Sequence, residues 1–182
     1  SGKTLMAIAA GMEQTLSLSQ KNNKYSKIVV SRPVQPLGKD IGFLPGTMHE
    51  KMMPWLMPIQ DNLETIMGED KTYLNEYVER GKIQIEALTY IRGRSINNAF
   101  IVIDEAQNLT AHEVKTILTR VGENTKIVLT GDIEQIVNIY TNETSNCLIY
   151  AVEKFKCHDI SGHITFLKGE RSRLATISSK IL

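Results

Sequence analysis

The chain has 182 residues, 42% hydrophobic and 23% charged, with 21 Lys and Arg against 20 Asp and Glu for a net charge of +1. A chain of this size buries roughly two-thirds of its unfolded surface without a disulfide or metal, and its composition excludes disorder, collagen and coiled coil. The longest strictly apolar run near the centre, Ala99 to Ile103, is far shorter than the roughly 20 residues of a bilayer span, near-neutral charge gives no sign of a globally basic nucleic-acid binder, and Cys147 and Cys157 are too few for a disulfide framework, fitting a cytoplasmic setting.

In chain order, apolar positions 5, 8, 9, 12 and 16 share one face at the helical period, which predicts an amphipathic helix from Thr4 to about Leu18. Lys3 ahead of Leu5 to Met12 has the outline of a short signal sequence, but Ser1 is no initiator methionine and the stretch is read as the start of that helix. Lys27 to Ser31 is a β-branched run without helical period, a buried strand stopped at Arg32-Pro33 because proline cannot continue a ladder. Three prolines and Gly38, Gly42 and Gly46 make the stretch from Pro33 to Gly46 irregular. A helical pattern resumes from Met48 to Ile66, with a break or kink expected at Pro54 and Pro58, and a polar helix is predicted from Lys71 to Arg80.

The second half is more regular. Ile83 to Ala87 alternates as a strand does, and Phe100 to Asp104 is a continuous apolar run ending in acid, the pattern of a strand buried on both faces. Thr110 with Glu113 forms a capping box, followed by a helical face of Val114, Ile117, Leu118 and Val121 that Gly122 ends. Lys126 to Thr130 reads as a strand, Leu148 to Phe155 as a helix, Ile164 to Leu167 as a last strand, and Leu174, Ile177 and Ile181 as the face of a last helix. Strands alternating with helices predict an α/β fold in three layers, a mostly parallel sheet covered on both sides.

Ser1-Gly2-Lys3-Thr4, running straight into a helix, is the closing half of a G-x-x-x-x-G-K-[ST] phosphate loop. In that reading Ser1 and Gly2 bring backbone close to phosphates, Lys3 reaches the β- and γ-phosphates, and the Thr4 hydroxyl ligates Mg²⁺. A plain turn before a helix, with a solvated lysine, would look the same over four residues. The acidic pair Asp104-Glu105, about a hundred residues on, supplies the second half of such a site: Asp104 for Mg²⁺ and Glu105 to polarise the attacking water. Three strand tips carry polar groups that are expected to converge at the carboxyl end of the sheet: Ser31-Arg32, Asp104-Glu105 and Thr130-Gly131-Asp132. Gln135 offers an amide to sense a γ-phosphate or orient water, and Arg171 or Arg173 to neutralise transition-state charge; a loop glutamine and a solvated basic helix start are the plain alternatives. Arg92 and Arg94, with Asn97 and Asn98, suit a nucleic-acid backbone, the next subunit or simply solvent. Cys147, Cys157, His158 and His163 lack the spacing of a zinc site, and the methionines around Trp55 read as packing.

With these motifs placed, the chain resembles the ATPase domain of the phosphate-starvation-inducible PhoH-like family, relatives of superfamily-one helicases. The resemblance covers residues 1–182 and rests on Ser1-Gly2-Lys3-Thr4, Ser31-Arg32-Pro33, Gly42-Phe43-Leu44-Pro45-Gly46, Ile91-Arg92-Gly93-Arg94, the run from Ile101 to Asn108, Leu129-Thr130-Gly131-Asp132 with Gln135, and Arg171-Ser172-Arg173. It implies a RecA-like P-loop NTPase that binds and hydrolyses ATP with Mg²⁺. The implied catalytic residues are Lys3, Glu105, Gln135, Arg171 and Arg173; Ser1, Gly2, Lys3, Thr4, Asp104 and Gln135 would bind the nucleotide, with Thr4 and Asp104 on the metal. It further implies RNA-directed work, with Arg32, Arg92 and Arg94 as candidate contacts, and homo-oligomers up to a hexameric ring. The strand and first glycine that open such a phosphate loop are expected upstream, in a longer protein that in some relatives carries a nuclease domain. A nucleotide-gated RNA-binding or assembly module with little turnover is the alternative, and a small-molecule phosphotransferase a weaker one.

Overall fold

The computed structural model describes residues 2–17, 21, 23–33, 48–68, 71–91, 95–133, 135, 146–167, 174 and 177. Among these, four strands form one all-parallel sheet: β1 (Lys27–Arg32), β2 (Ile83–Ala87), β3 (Ala99–Ile103) and β4 (Lys126–Leu129), in the order β2-β1-β3-β4. The register pairs Val30 of β1 with Ile85 on one side and Val102 on the other, and Ile103 of β3 with Leu129. Parallel neighbours need crossovers, which α2 (Met48–Met67) and α3 (Lys71–Glu79), the short α4 (Leu88–Ile91) and α5 (Ala111–Leu118) supply, while α1 (Lys3–Leu16) precedes β1 and α6 (Cys147–Phe155) follows β4.

Alternation along each strand sends side chains to opposite faces, and both faces are covered. On one, Ile28, Val30, Ile83, Phe100 and Val102 pack beneath α1, α2 and α3, which contribute Ile8, Met12, Leu56, Ile59, Leu63 and Leu74. On the other, Val29, Ile101 and Ile103 meet Leu88 and Ile91 of α4, Val114 and Ile117 of α5, and Cys147 of α6. Each large apolar side chain so buried contributes about 1.5–3 kcal/mol. Gly11 lets α1 lie directly on the sheet: a β-carbon there would come within 2.6 Å of Ile28 and 2.7 Å of Phe100. That close seat places the first turn of α1 at the carboxyl end of the strands.

The expected three-layer α/β architecture with a parallel sheet is the one observed, and four corrections concern local elements. Pro54 and Pro58 fall inside one helix from Met48 to Met67 and do not divide it. Both prolines are exposed, so the face carrying Leu56, Ile59 and Leu63 still packs on the sheet and offsets the missing backbone bonds. The helix after the capping box stops at Leu118; Val121 forms a parallel bridge with Ile96 instead. Residues 164–167 are not a strand, and Ile164 and Leu167 are 81% and 96% exposed. A strand exists only with a neighbour to take its backbone groups, and among the described residues β4 is bonded to β3 alone. Finally, Ser31 is fully buried on the face of Val29, and its hydroxyl has no hydrogen-bond partner, so of the first strand tip only Arg32 reaches the cleft region. The irregular stretch expected before Met48 lies outside the described residues from position 34 on; of the last helix only Leu174 and Ile177 are described, both helical and exposed.

Candidate functional site

Gly2 precedes α1 in a left-handed conformation, φ 73°, which a side chain would disfavour, and no side chain caps the helix. The first-turn amides of a 14-residue helix are thereby left available at the positive end of its dipole. They open on a cleft of about 190 Å³ lined by Gly2, Lys3 and Thr4 on one side and by Asp104, Asp132 and Gln135 on the other. β1 runs between β2 and β3, so the chain reverses its direction of winding beside this cleft, the place where open parallel sheets hold ligands.

Thr4 and Asp104 are 100 residues apart in sequence, and the Thr4 hydroxyl donates to Asp104 Oδ1 at 2.6 Å. Thr130 Oγ1 donates to the same oxygen at 2.7 Å, and the Asp104 amide is fixed by the Ser31 carbonyl at 2.8 Å. Asp104 is only 4% exposed. Among the described residues two hydroxyls donate to this carboxylate, and a buried anion is stabilised further by a cation. A hard cation shared between the Thr4 hydroxyl and the Asp104 carboxylate fits that donor chemistry. No group of three His, Cys, Asp or Glu among the described residues could hold a metal unaided. Mg²⁺, which binds through one or two protein oxygens together with phosphates, suits so sparse a set.

Lys3 Nζ lies 3.2 Å from Asp132 Oδ2, both side chains about a quarter exposed (27% each). Gln135 Nε2 donates to the same Asp132 oxygen at 3.0 Å. An ammonium held by one partly exposed carboxylate at the mouth of a cleft can exchange it for a phosphate, since the phosphate replaces one negative partner by another. Glu105 stands next to Asp104 in the left-handed region, φ 53° and ψ 37°. For a residue other than glycine that costs on the order of 1–2 kcal/mol. The conformation turns the carboxylate toward the strand tips, where Arg32 Nη2 is 3.5 Å from Glu105 Oε1 and Gln107 Nε2 donates to Oε2 at 2.5 Å. Strain kept at such a point is what functional sites characteristically hold.

Of the residues singled out from sequence, Gly2, Lys3, Thr4, Asp104, Glu105, Asp132 and Gln135 line one cleft, and Arg32 borders it through Glu105. Ser1, Arg92, Arg94, Arg171 and Arg173 lie outside the described residues. Asn97 and Asn98 are engaged locally: Asn97 Oδ1 accepts the Glu123 amide at 3.1 Å, and Asn98 Oδ1 accepts from the Asn124 side chain. Sequence reading missed Asn62, which α2 brings to the cleft wall, the second hydroxyl on Asp104 from Thr130, and the buried Gln107. Thr130 and Gln107 stood within quoted motifs, so motif adjacency was their signal; Asn62 had none.

The cysteines behave differently. Cys147 is fully buried, its thiol donates to the Ala106 carbonyl at 2.7 Å, and burial, reinforced by the charge of Glu113, pushes its pKa up to about 12. Cys157 is exposed. At pH 8 a thiol reagent followed by peptide mapping is expected to label Cys157 rapidly in the native protein and Cys147 only in denaturant; fast native labelling of Cys147 would contradict its burial. The linkage has a definite sign. A thiol whose pKa is raised in the folded state contributes stability that is complete below its unfolded value of 9.0 and is lost as pH rises from there toward 12.

A parallel sheet entered by a helix on Gly-Lys-Thr and faced by a strand-end Asp-Glu defines a nucleotide-binding domain of the P-loop NTPase class. The chain belongs to the PhoH-like protein family, whose model matches residues 1–181. It is 55% identical over 183 residues to Protein PhoH2 of Bacillus subtilis (strain 168), an alignment that takes in 100% of this chain and 40% of that protein. It is 35% identical over 182 residues to Protein PhoH2 of Mycolicibacterium smegmatis, with the same 100% and 40% coverage. Similarity to the PhoH-like protein of Bacillus subtilis is 40% over 135 residues, 74% of this chain and 40% of that one. The chain thus spans about two-fifths of the length of these curated relatives. No helix among the described residues is long and apolar enough to cross a membrane.

Proposed function

We propose that this domain binds ATP together with Mg²⁺ and hydrolyses it, in the service of RNA binding or remodelling. The observation that carries the reading is the contact between Thr4 and Asp104 at 2.6 Å, which unites the helix-start hydroxyl and the strand-end carboxylate of a magnesium-phosphate site. Thr4 and Asp104 would hold the ion, whose chemistry is to draw charge from the phosphate oxygens. Lys3 leaves Asp132 for the β- and γ-phosphates. Glu105 accepts a proton from water as the water oxygen forms its bond to the γ-phosphorus and the bond to the β-bridging oxygen breaks, ADP leaving with the electron pair. Gln135, tied to Asp132, is placed to register whether the terminal phosphate is present. Arg32, Arg92 and Arg94 are the candidates for RNA, Arg171 and Arg173 for completing the site from this chain or a neighbouring copy. Head-to-tail copies would close into a homo-oligomeric ring, a hexamer being the size proposed; a light-scattering mass of one protomer with concentration-independent turnover would remove that part. A cytoplasmic location belongs to the same reading.

One observation favours the second reading, a nucleotide-gated module with little turnover. Both oxygens of Glu105 are engaged, by Arg32 and by Gln107, so the general base is occupied until something draws Arg32 away. RNA phosphates are a suitable competitor. Phosphate release is therefore expected to be slow in the full-length protein alone, to require Mg²⁺, and to rise several-fold with RNA. Release that is independent of Mg²⁺ contradicts the ATPase reading. Release indifferent to RNA removes the RNA link and leaves the ATPase.

A further inference from the structure

Gln107 is fully buried, and every polar atom of its amide is spent on the site. Its Nε2 donates to Glu105 Oε2 at 2.5 Å and to the Gln135 carbonyl at 3.1 Å, while its Oε1 accepts the Asp132 amide at 3.1 Å. One side chain thus joins the Asp104-Glu105 strand tip to Asp132 and Gln135. Two backbone bonds fasten the same parts together from behind: Ala106 N–H to the Thr130 carbonyl at 2.8 Å and Thr130 N–H to the Ile103 carbonyl at 2.9 Å. Gly131 completes the fit, since a β-carbon there would collide with Gln107 Oε1 and Leu148 Cδ1. A buried primary amide with two donors and one accepting oxygen is a poor choice for core packing alone, because each atom left without a partner costs about 1–3 kcal/mol. It is a good choice for fixing a carboxylate in one orientation while reading the position of a neighbouring loop.

Resting on the ATPase reading above, we infer that Gln107 is a positioning residue that aims the Glu105 carboxylate and couples it to Asp132 and Gln135. Lys3 exchanging Asp132 for phosphate acts on a residue whose amide Gln107 holds, as it holds the Gln135 carbonyl. The displacement passes through a single rigid amide to Glu105. Nucleotide arrival at Lys3 and alignment of the base are in this way one event.

The test uses the full-length protein and the variants Gln107→Leu and Gln107→Met, similar in volume and without the amide, with Gly131→Ala to displace the amide without deleting it. ATP affinity is expected to stay within about threefold, while kcat falls roughly 10- to 100-fold, the usual effect of removing a group that orients a reactive one. A side chain that only packs would lower melting temperature and leave kcat in step with the folded fraction. In a Glu105→Gln background the Gln107 change is expected to cost nothing further in rate, because it acts through Glu105. Wild-type kcat in any folded member of the three overturns the role of Gln107 alone. A wild-type protein that releases no phosphate under any condition overturns the ATPase reading and the proposal with it.

Discussion

Lys3→Ala is expected to weaken ATP binding by roughly 10- to 100-fold, the worth of a charged hydrogen bond to phosphate, and to bring turnover to background. The two effects arise at one atom. Lys3 Nζ is the cation at the helix start, held in waiting 3.2 Å from Asp132. Stability should change little, because Asp132 keeps the Gln135 amide as a donor and its own backbone N–H stays bound to Gln107 when Lys3 is removed. Titration with a fluorescent ATP analogue and a thermal melt separate the two quantities. Normal binding and hydrolysis by this variant would remove the phosphate-loop reading; lost binding with a collapsed melting temperature would make Lys3 structural.

Glu105→Gln should separate binding from chemistry. The amide keeps the side chain's size and the left-handed backbone seat but cannot take a proton, so affinity is expected to hold while kcat falls about 10²- to 10⁴-fold. Single-turnover phosphate release beside equilibrium binding is the measurement. Equal losses in both would reassign Glu105 as a metal ligand or a structural acid, a distinction that matters because Asp104 is its immediate neighbour.

The layers of this fold were legible because they rest on local patterns. β1 and β3 are runs of β-branched and apolar residues too short for a helix and buried almost throughout, and Thr110 caps α5 with Glu113 as the spacing requires. The misread elements depended on distant partners. Residues 164–167 have a strand's composition, but composition reports affinity for a sheet and not the presence of a neighbour. The helix through Pro54 and Pro58 survives because the sheet beneath it rewards burial of Leu56, Ile59 and Leu63, and local propensity carries no account of that reward. At the site, the residue types were legible and their pairings only partly so. Nothing in the order of residues shows that Lys3 rests on Asp132, that Arg32 holds Glu105, or that Gln107 is buried at the centre with every polar atom spent. Such facts follow from three strand tips meeting, and the meeting exists only after the sheet has formed.

Whether Thr4, Asp104, Lys3 and Glu105 act together on a nucleotide is decided by a structure of the full-length protein with Mg²⁺ and a non-hydrolysable ATP analogue. Expected are the ion between Thr4 and Asp104, Lys3 moved from Asp132 to the phosphates, and Glu105 facing the terminal phosphorus with Gln107 still bound to it. A nucleotide seated elsewhere, with the Lys3–Asp132 pair intact, would contradict that joint action.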